Sequence, residues 1–485
     1  MSTQEQSDLN HRPKPDKELM AIADYLYDYE IPDDDELYKT ARYCLMDSLA
    51  SAFLACRFPA CKKHLGPLVS GTIVPNGARV PGTNYILDPV KAAFDIGTMI
   101  RWLDFNDTWL AEEWGHPSDN LGAILALGDF ISRKRIVEGD GPMQIKELLN
   151  MMIKAHEIQG VMALENSFNK VGLDHVVLVK VASTAVSSYM LKLDKEGIVD
   201  ALSHAWVDGQ SLRTYRHAPN TTSRKSWAAG DATSRAVRLA LMVANGEPGM
   251  PSVLTTKSWG FYDVLFKSNS FRFQRDYQHY VMKNILFKIS YPAEFHAQTA
   301  IEVAIKLHPQ VYHRLEDIDH IDVYTQESAI RIISKQGPLH NPADRDHCLQ
   351  YMIAVGLIFG ELKADSYEDD FAEDQRIDEL RRKMIVREDK QFSEDYLNPE
   401  KRAIANAIQV FFKDDSSTEK LRIDYPVGHL FRRDEAWPLL ERKFTDALSL
   451  IYDQLKTHEI KTLCMDHKKL ESMAVNEFMD LFVLE

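Results

Sequence analysis

The chain has 485 residues, 45% of them apolar, and a formal net charge of −15 from 57 basic and 72 acidic side chains. That length exceeds what one simple core needs, so two domains are expected. The acidic balance argues against broad attraction to nucleic acid or an anionic membrane, while leaving room for a local basic pocket.

The polar opening, MSTQEQSDLNHRPKPDKE, contains acids and has no apolar core, so neither a signal peptide nor a transit peptide is expected. No apolar run reaches the roughly 18 residues of a membrane span. Helical periodicity dominates up to Phe273. LYKTARYCLMDSLASAFLAC from Leu37, DNLGAILALGDFI from Asp119, VLVKVASTAVSSYMLKL from Val177 and ATSRAVRLALMVANG from Ala232 are rich in Ala, Leu and Met and predict buried or half-buried helices. Beyond Phe273 the texture changes. HIDVYTQES from His320, AIQVFFKDD from Ala407 and EKLRIDYPV from Glu419 carry β-branched and aromatic residues at period 2, the last two joined by a polar DDSST turn. Between them DHCLQYMIAVGLIFG reads as a helix, and ADSYEDDFAEDQRIDELRRKM as a helix with a solvated charged face. Helical texture returns after Pro426 in WPLLERKFTDALSLIYDQL. The expected fold is mainly α: a helical domain over residues 1–273, a smaller α/β domain over 274–426, and C-terminal helices over 427–485 that pack back on the first domain.

Signatures of bound cofactors are missing. HEIQG from His156 begins like a zincin helix but has Gly160 where the second zinc ligand belongs. Cys44, Cys56, Cys61, Cys348 and Cys464 are an odd, scattered set without a CxxC, which fits free thiols in a reducing, cytoplasmic setting and leaves zinc and iron–sulfur clusters without a ligand set. There is no GxGxxG after a strand, no GxxxxGK[ST] and no GxSxG. No cofactor and no metal are therefore expected, and side chains alone must carry any chemistry.

Three stretches collect polar groups. DFNDTWLAEEWGHPSDNLG from Asp104 sets Asp104, Asp107, Glu112 and Glu113 with His116 ahead of Pro117 and an apolar run. A site that handles an anion and a capped loop that handles nothing are both open readings of it. SLRTYRHAPNTTSRKSWAAGDA from Ser211 offers Arg213, Arg216, His217, Arg224 and Lys225, suited either to capture of a polyanionic small molecule or to a solvated surface loop. FKISYPAEFHAQTA sets Lys288 and His296 around a proline at the expected domain junction, where pockets favour forming.

Together these segments resemble the MmgE/PrpD family, nearest to its branch that dehydrates 2-methylcitrate. The match is carried by RWLDFNDTW with GHPSDN downstream, KAHEIQG, NSFNKVGLDHV, DGQSLRTYRHAPN, RKSWAAGDATSRA, FKISYPAEFH, NPADRDHC and YPVGH, spread over nearly the whole chain. The resemblance implies a large all-helical domain with an inserted smaller α/β lid domain and an active site between them. It implies a motif D-x-x-[DN]-T…H-P-S at Asp104, Asp107, Thr108, His116 and Ser118, a second active-site histidine at His175, and two lysines at Lys225 and Lys288. The gap before His116 is longer than in decarboxylase relatives. Many relatives read K-x-L-H-x-G where this chain has Lys225-Ser-Trp-Ala-Ala-Gly230, a form the dehydratase branch shares.

The implied reaction is elimination of water from 2-methylcitrate to give 2-methyl-cis-aconitate, a step in propionate breakdown, with side activity on citrate and cis-aconitate. Decarboxylation of cis-aconitate and non-catalytic tricarboxylate binding are the alternatives. Pro117 is a favoured first-turn residue, so His116 is expected at the N-terminus of a helix beginning near Ser118. There, free N–H groups and the helix dipole attract carboxylates and keep the imidazole neutral. The C–H to be broken lies beside a carboxylate, so its removal needs a base together with cations. Asp104, His116, His175, Lys225 and Lys288 are the expected catalytic residues. Arg213, Lys225 and Lys288 serve as cations, Asp104 or His175 meets the departing hydroxide, and acid and base are open to exchange. Asp107, Thr108, Ser118, Arg213, Arg216, His217, Arg224 and His296 are expected to bind substrate, and His204 in ALSHAW to be structural. The expected partner is a small tricarboxylate held by a homodimer, with no nucleic acid and no membrane involved.

Overall fold

A computed structural model describes residues 11–217 and 219–484; most of the N-terminal stretch read above for a leader falls on residues 1–10, outside the described residues. Helices take 56% of the chain and strands 8%, so the fold is mainly α, as its periodicity requires. The long N-terminal helices are α1 (Lys17–Asp28), α2 (Asp35–Ala55), α3 (Pro89–Arg101), α4 (Leu121–Glu138), α5 (Ile145–Ala163), α6 (Val176–Met190), α7 (Lys195–Val207) and α8 (Arg224–Ala244). Their ends are set by local chemistry. Asp34 caps α2 by accepting the N–H groups of Glu36 and Leu37 at 3.1 Å. Gly139 closes α4 at a φ of 86°, a left-handed conformation that turns its N–H back to the Arg135 and Ile136 carbonyls.

Residues 121–127 of α4 are all buried, which makes it a central helix rather than an amphipathic surface one. Its neighbours α3 and α8 approach backbone to backbone. A Cβ on Gly122 would lie 2.8 Å from the Gly97 Cα, and one on Gly230 would lie 2.4 Å from the Phe94 carbonyl oxygen. The small residues after the basic stretch, Ala228, Ala229 and Gly230, therefore belong inside α8 as a packing surface. A two-residue antiparallel ribbon, β1 (Ala78–Arg79) with β2 (Ile86–Leu87), interrupts the helices; nothing in the periodicity announces it.

The second body is built on a four-stranded sheet of order β4-β3-β5-β6: β3 (Ile318–Thr325), β4 (Met384–Glu388), β5 (Asn406–Phe412) and β6 (Leu421–Ile423). β3 runs parallel to β4, pairing Ile321 with Met384, and antiparallel to β5, pairing Val323 with Ile408. Ile321 and Val323 point into a core closed by α9 (Gln298–Val311) and α10 (Leu349–Phe359). The charged stretch read as one helix breaks into a turn at Ala364–Tyr367, a short helix at Asp369–Ala372 and α11 (Gln375–Lys383), and then feeds the unanticipated strand β4. Within α11 only Ile377 and Leu380 are apolar anchors into the core, so charge hid the break.

Two hydrophobic cores result. One draws on residues from Leu19 to Ile289 and again from Ala436 to Phe482; the other draws on residues from Ala293 to Phe412. The return is made by α12 (Arg433–Leu448), which packs on α2. Its Lys443 donates to Asp47 Oδ1 at 2.7 Å and to the backbone oxygens of Phe105 and Lys288 at 2.7 and 3.0 Å. That one buried ammonium ties the C-terminal helix to both polar segments described next. Among the described residues no helix is long and apolar enough to cross a membrane.

Candidate active site

Between the two cores lies a cavity of about 140 Å³, walled by Arg101, Asp104, His116, His175, Arg213 and Lys288 from the first body and by Glu294, His296, Arg331 and His347 from the second. A larger cleft of about 590 Å³ lies to one side, lined by Glu112, Lys170, Lys267 and Arg402. It contains no histidine, whereas charge and imidazoles converge on the smaller cavity, so the chemistry belongs there.

Backbone pairing positions the first wall. Leu286 and Thr108 exchange two N–H···O bonds at 2.7 and 3.0 Å, laying the segment that bears Lys288 against the loop that bears Asp104. Trp109 and Gly115 exchange another pair at 2.8 and 3.1 Å, so the excursion between Thr108 and His116 closes as a narrow loop. Asp104 sits at a φ of 50°, a conformation rare outside glycine and asparagine, which turns its carboxylate between two cations. Arg101 Nη1 lies 2.7 Å from Oδ1, and Lys288 donates both to the same oxygen and, at 2.9 Å, to the Asp104 carbonyl. Burial alone would raise this carboxyl, but Arg101 and Lys288 outweigh it and hold it well below the usual range.

His116 is fixed as a neutral imidazole. Its Nδ1 lies 2.6 Å from the Asp107 carbonyl and must donate to it; its Nε2 lone pair accepts from Arg101 Nη2 at 2.8 Å. Burial first, then Arg101 and Lys288, push its pKa well below 6.5. The expected helix start is corrected in detail. Pro117–Asn120 form a 3₁₀ turn before α4, and the Ser118 N–H that was to meet a ligand carboxylate is taken by the Asp107 carboxylate at 3.1 Å. Asp107 also accepts the Ser118 hydroxyl at 2.7 Å and His156 Nε2 at 3.0 Å. Asp107 and Ser118 thus face each other behind the wall, and Thr108 reaches the cavity.

Cys44 Sγ completes a buried triangle, 3.6 Å from Asp107 Oδ2 and from His156 Nε2. Among the described residues this is the group close enough to hold a metal ion. Its members are already hydrogen-bonded: His156 Nδ1 faces the Met152 carbonyl at 2.8 Å, and burial followed by Asp107 pushes the Cys44 thiol up, away from the thiolate a metal needs.

The opposite side of the same wall is less satisfied. His175, immediately before α6, has no hydrogen-bond partner at either ring nitrogen, although Asp174 Oδ1 lies 3.2 Å from Nδ1, and its ring stands 5.5 Å from that of His116. Burial, reinforced by Arg216, Arg101 and Arg213 against Asp174, holds its pKa well below 6.5. Arg216 is paired with Asp174, but Arg213 Nη1 comes no closer than 3.9 Å to Glu113 and has no hydrogen-bond partner. Arg213 stacks over Trp114 at 5.7 Å, and His217 stands exposed at the rim. Arg224 does not reach the cavity: it pairs with Asp231 at 2.8 Å, lies 3.9 Å over Trp227 and faces another cleft.

From the second body, Glu294 Oε1 lies 2.7 Å from His296 Nδ1, and His296 Nε2 lies 3.1 Å from the Tyr396 hydroxyl. Lys225, in the first turn of α8, does not line the cavity directly; it crosses to the second body and donates to both Asp346 oxygens at 2.6 and 2.7 Å, with His347 Nδ1 at 3.0 Å. The structure therefore gathers Asp104, Thr108, His116, His175, Arg213, Arg216, His217, Lys288 and His296 around one cavity, with Lys225 one contact behind. Sequence reasoning missed Arg101, Trp114, Glu294, Arg331, Asp346 and His347. Arg101, Glu294, Asp346 and His347 stand inside the family-like blocks RWLDFNDTW, FKISYPAEFH and NPADRDHC, where their charge was the available signal. Arg331 carried none, as a single arginine on a short helix.

Two family models and several known proteins match this chain along most or all of its length. The MmgE/PrpD N-terminal domain matches residues 20–274 and the MmgE/PrpD C-terminal domain matches residues 291–467. A 2-methylcitrate dehydratase of Salmonella typhimurium is 58% identical over the whole of both chains. One of Escherichia coli is 58% identical across 98% of this chain and 99% of its own. A mitochondrial 2-methylcitrate dehydratase of Yarrowia lipolytica is 56% identical across 98% and 91%. The chain belongs to the MmgE/PrpD family.

Proposed function

We propose that this protein is a cofactor-independent hydro-lyase that removes water from 2-methylcitrate to give 2-methyl-cis-aconitate in propionate breakdown, with side activity on citrate and cis-aconitate. The observation that carries the reading is one small cavity in which arginine and lysine side chains surround buried, neutral imidazoles, beside full-length similarity to 2-methylcitrate dehydratases. A tricarboxylate balances the excess of cations over the carboxylates that line this cavity, and arginine forks suit carboxylates.

The physics of the step assigns the parts. The hydrogen removed sits on carbon next to a carboxylate, so the base must work beside cations that accept the charge moving onto that group. Lys288 and Arg213 are the cations at the cavity, with Lys225 adding its charge from behind. Asp104 is held as an anion and has no proton to give; it fixes Arg101 and Lys288. His116 holds Arg101 from the other side. His175, bare at both nitrogens, meets the departing hydroxide once the bound trianion has drawn a proton onto its ring. The second body acts as a lid over this wall, and the working form is a cytoplasmic homodimer. NMR of products from 2-methylcitrate, citrate and cis-aconitate tests the reading. The expected signal is 2-methyl-cis-aconitate with no CO₂; release of CO₂ from cis-aconitate as the main reaction, or no turnover, overturns it.

A further inference from the structure

The cavity holds several imidazoles, and their lone pairs are not equivalent. His116 Nε2 is engaged by Arg101, and Arg101 is pinned in turn by Asp104, so this lone pair stays covered while that pair is intact. His296 is engaged at both nitrogens by Glu294 and Tyr396. His175 stands among Arg101, Arg213 and Arg216, which oppose a positive charge on its ring until a bound trianion offsets them, so it enters the reaction already carrying a proton, as the donor.

His347 is different. It comes from the second body, on the turn just before α10, and the bond from the Glu294 N–H to the Asp346 carbonyl, 3.2 Å, ties that turn to the segment following Lys288. Its Nδ1 lies 2.8 Å from Asp346 Oδ1 and 3.0 Å from Lys225 Nζ, an ammonium that already donates to both Asp346 oxygens; the tautomer that donates from Nδ1 to Asp346 leaves the Nε2 lone pair on the cavity side. Asp104 Oδ2 stands 3.7 Å from Nε2. An imidazolium formed at His347 would have a carboxylate at each ring nitrogen, while burial first and then Lys225, clamped on Asp346, keep the resting ring neutral.

We infer that His347, oriented by Asp346, is the general base of the elimination, so that the site joins a proton acceptor on one body to the cations and proton donor of the other. Resting on the dehydratase reading, the step balances as follows. His347 Nε2 takes the proton from the carbon beside the carboxylate, and that C–H pair becomes the C=C bond. The neighbouring C–O bond breaks, and the hydroxide leaves as water with a proton from the His175 imidazolium. One proton is gained and one lost, and exchange with solvent restores both rings. Asp346 is a positioning residue.

The test uses the full-length chain with 2-methylcitrate. His347→Gln and His347→Asn are expected to lower kcat by on the order of 10²–10⁴ while KM stays within about three-fold and the thermal unfolding midpoint is kept. Free imidazole is expected to restore part of the rate in His347→Ala. If wild type turns over and a folded His347→Gln or His347→Asn keeps kcat within about five-fold, the assignment is overturned and the dehydratase reading stands. If wild type leaves 2-methylcitrate unchanged, the functional reading fails and this assignment with it.

Discussion

Two sides of one cavity wall differ in how fully their polar groups are satisfied. Around Asp104 the charges stand in close pairs, with Arg101 and Lys288 on the carboxylate, Arg101 Nη2 on His116 and the Asp107 carbonyl on the same ring, although Arg101 Nε and Nη1 make no hydrogen bond. Around His175 the reverse holds, with two bare ring nitrogens and an Arg213 nitrogen without a hydrogen bond. Buried polar groups are ordinarily paired, and a concentration of unpaired donors at a cavity marks where a ligand completes the network. The paired side is a scaffold that holds charge in place before substrate arrives; the open side receives it.

Breaking the paired side has the largest expected effect. Lys288→Ala leaves a buried Asp104 with one cation fewer and is expected to cost about 3–5 kcal/mol of stability along with nearly all activity. Denaturant unfolding followed with the turnover assay measures both, and a stable Lys288→Ala protein would mean that the Asp104 cluster is not a scaffold. Breaking the open side separates the two quantities. Arg213→Ala is expected to raise KM roughly 10–100-fold with little change in unfolding midpoint, and Arg213→Lys to recover only part of it, since an ammonium does not reproduce the planar fork.

A pH series sharpens the comparison further. His116, His175 and His347 are all held below the ordinary 6.5, so the fold favours their neutral forms. The stability they contribute is complete above 6.5 and declines as pH falls below it towards their folded values. The acid limb of kcat/KM is accordingly expected below 6.5. Lys225 and Lys288 are pushed down from 10.5 by burial, so the rise in KM that follows loss of their charge is expected to begin below 10.5. An acid limb above 6.5 would contradict the burial account. Smaller still is the effect at His204, whose Nε2 lies 3.0 Å from the Pro248 carbonyl away from the cavity. His204→Ala is expected to change stability by about 0.5 kcal/mol or less and kcat by under two-fold. Prolonged chelation is expected to leave turnover unchanged, and loss of activity that iron or zinc restores would give the Cys44–Asp107–His156 triangle a catalytic role.

The same contrast explains what could be read without coordinates. Helices such as α4 and α6 show in composition and period because burial acts on every turn. Strands β3 and β5 show because one face is apolar at period 2, whereas MIVRE, the β4 strand, has its apolar residues hidden behind RRK and ahead of a charged tail. In the site, motif resemblance located Asp104, His116, His175 and Lys288. The reading of Arg224 came from the charge of its basic stretch, and charge alone does not tell that Lys225 points inward from the same helical turn while Arg224 points out. Asp107 and Ser118 are expected at the ligand through the family motif; in the fold they hydrogen-bond to each other. Arg101 and His347 lie far apart in sequence and converge only when the two cores meet, a relation no local spacing carries.

The most direct test of the open side uses a stable trianion with no hydroxyl to lose. Tricarballylate, added to wild type at about 100 times its dissociation constant, is expected to stabilise the protein by about 2.7 kcal/mol, read as a rise in the unfolding midpoint. In Arg213→Ala at the same ligand concentration the stabilisation is expected to fall to about 0.4–1.4 kcal/mol, as a 10–100-fold weaker site requires, while the midpoint without ligand is unchanged. An equal rise in both proteins would place the trianion elsewhere and contradict the account.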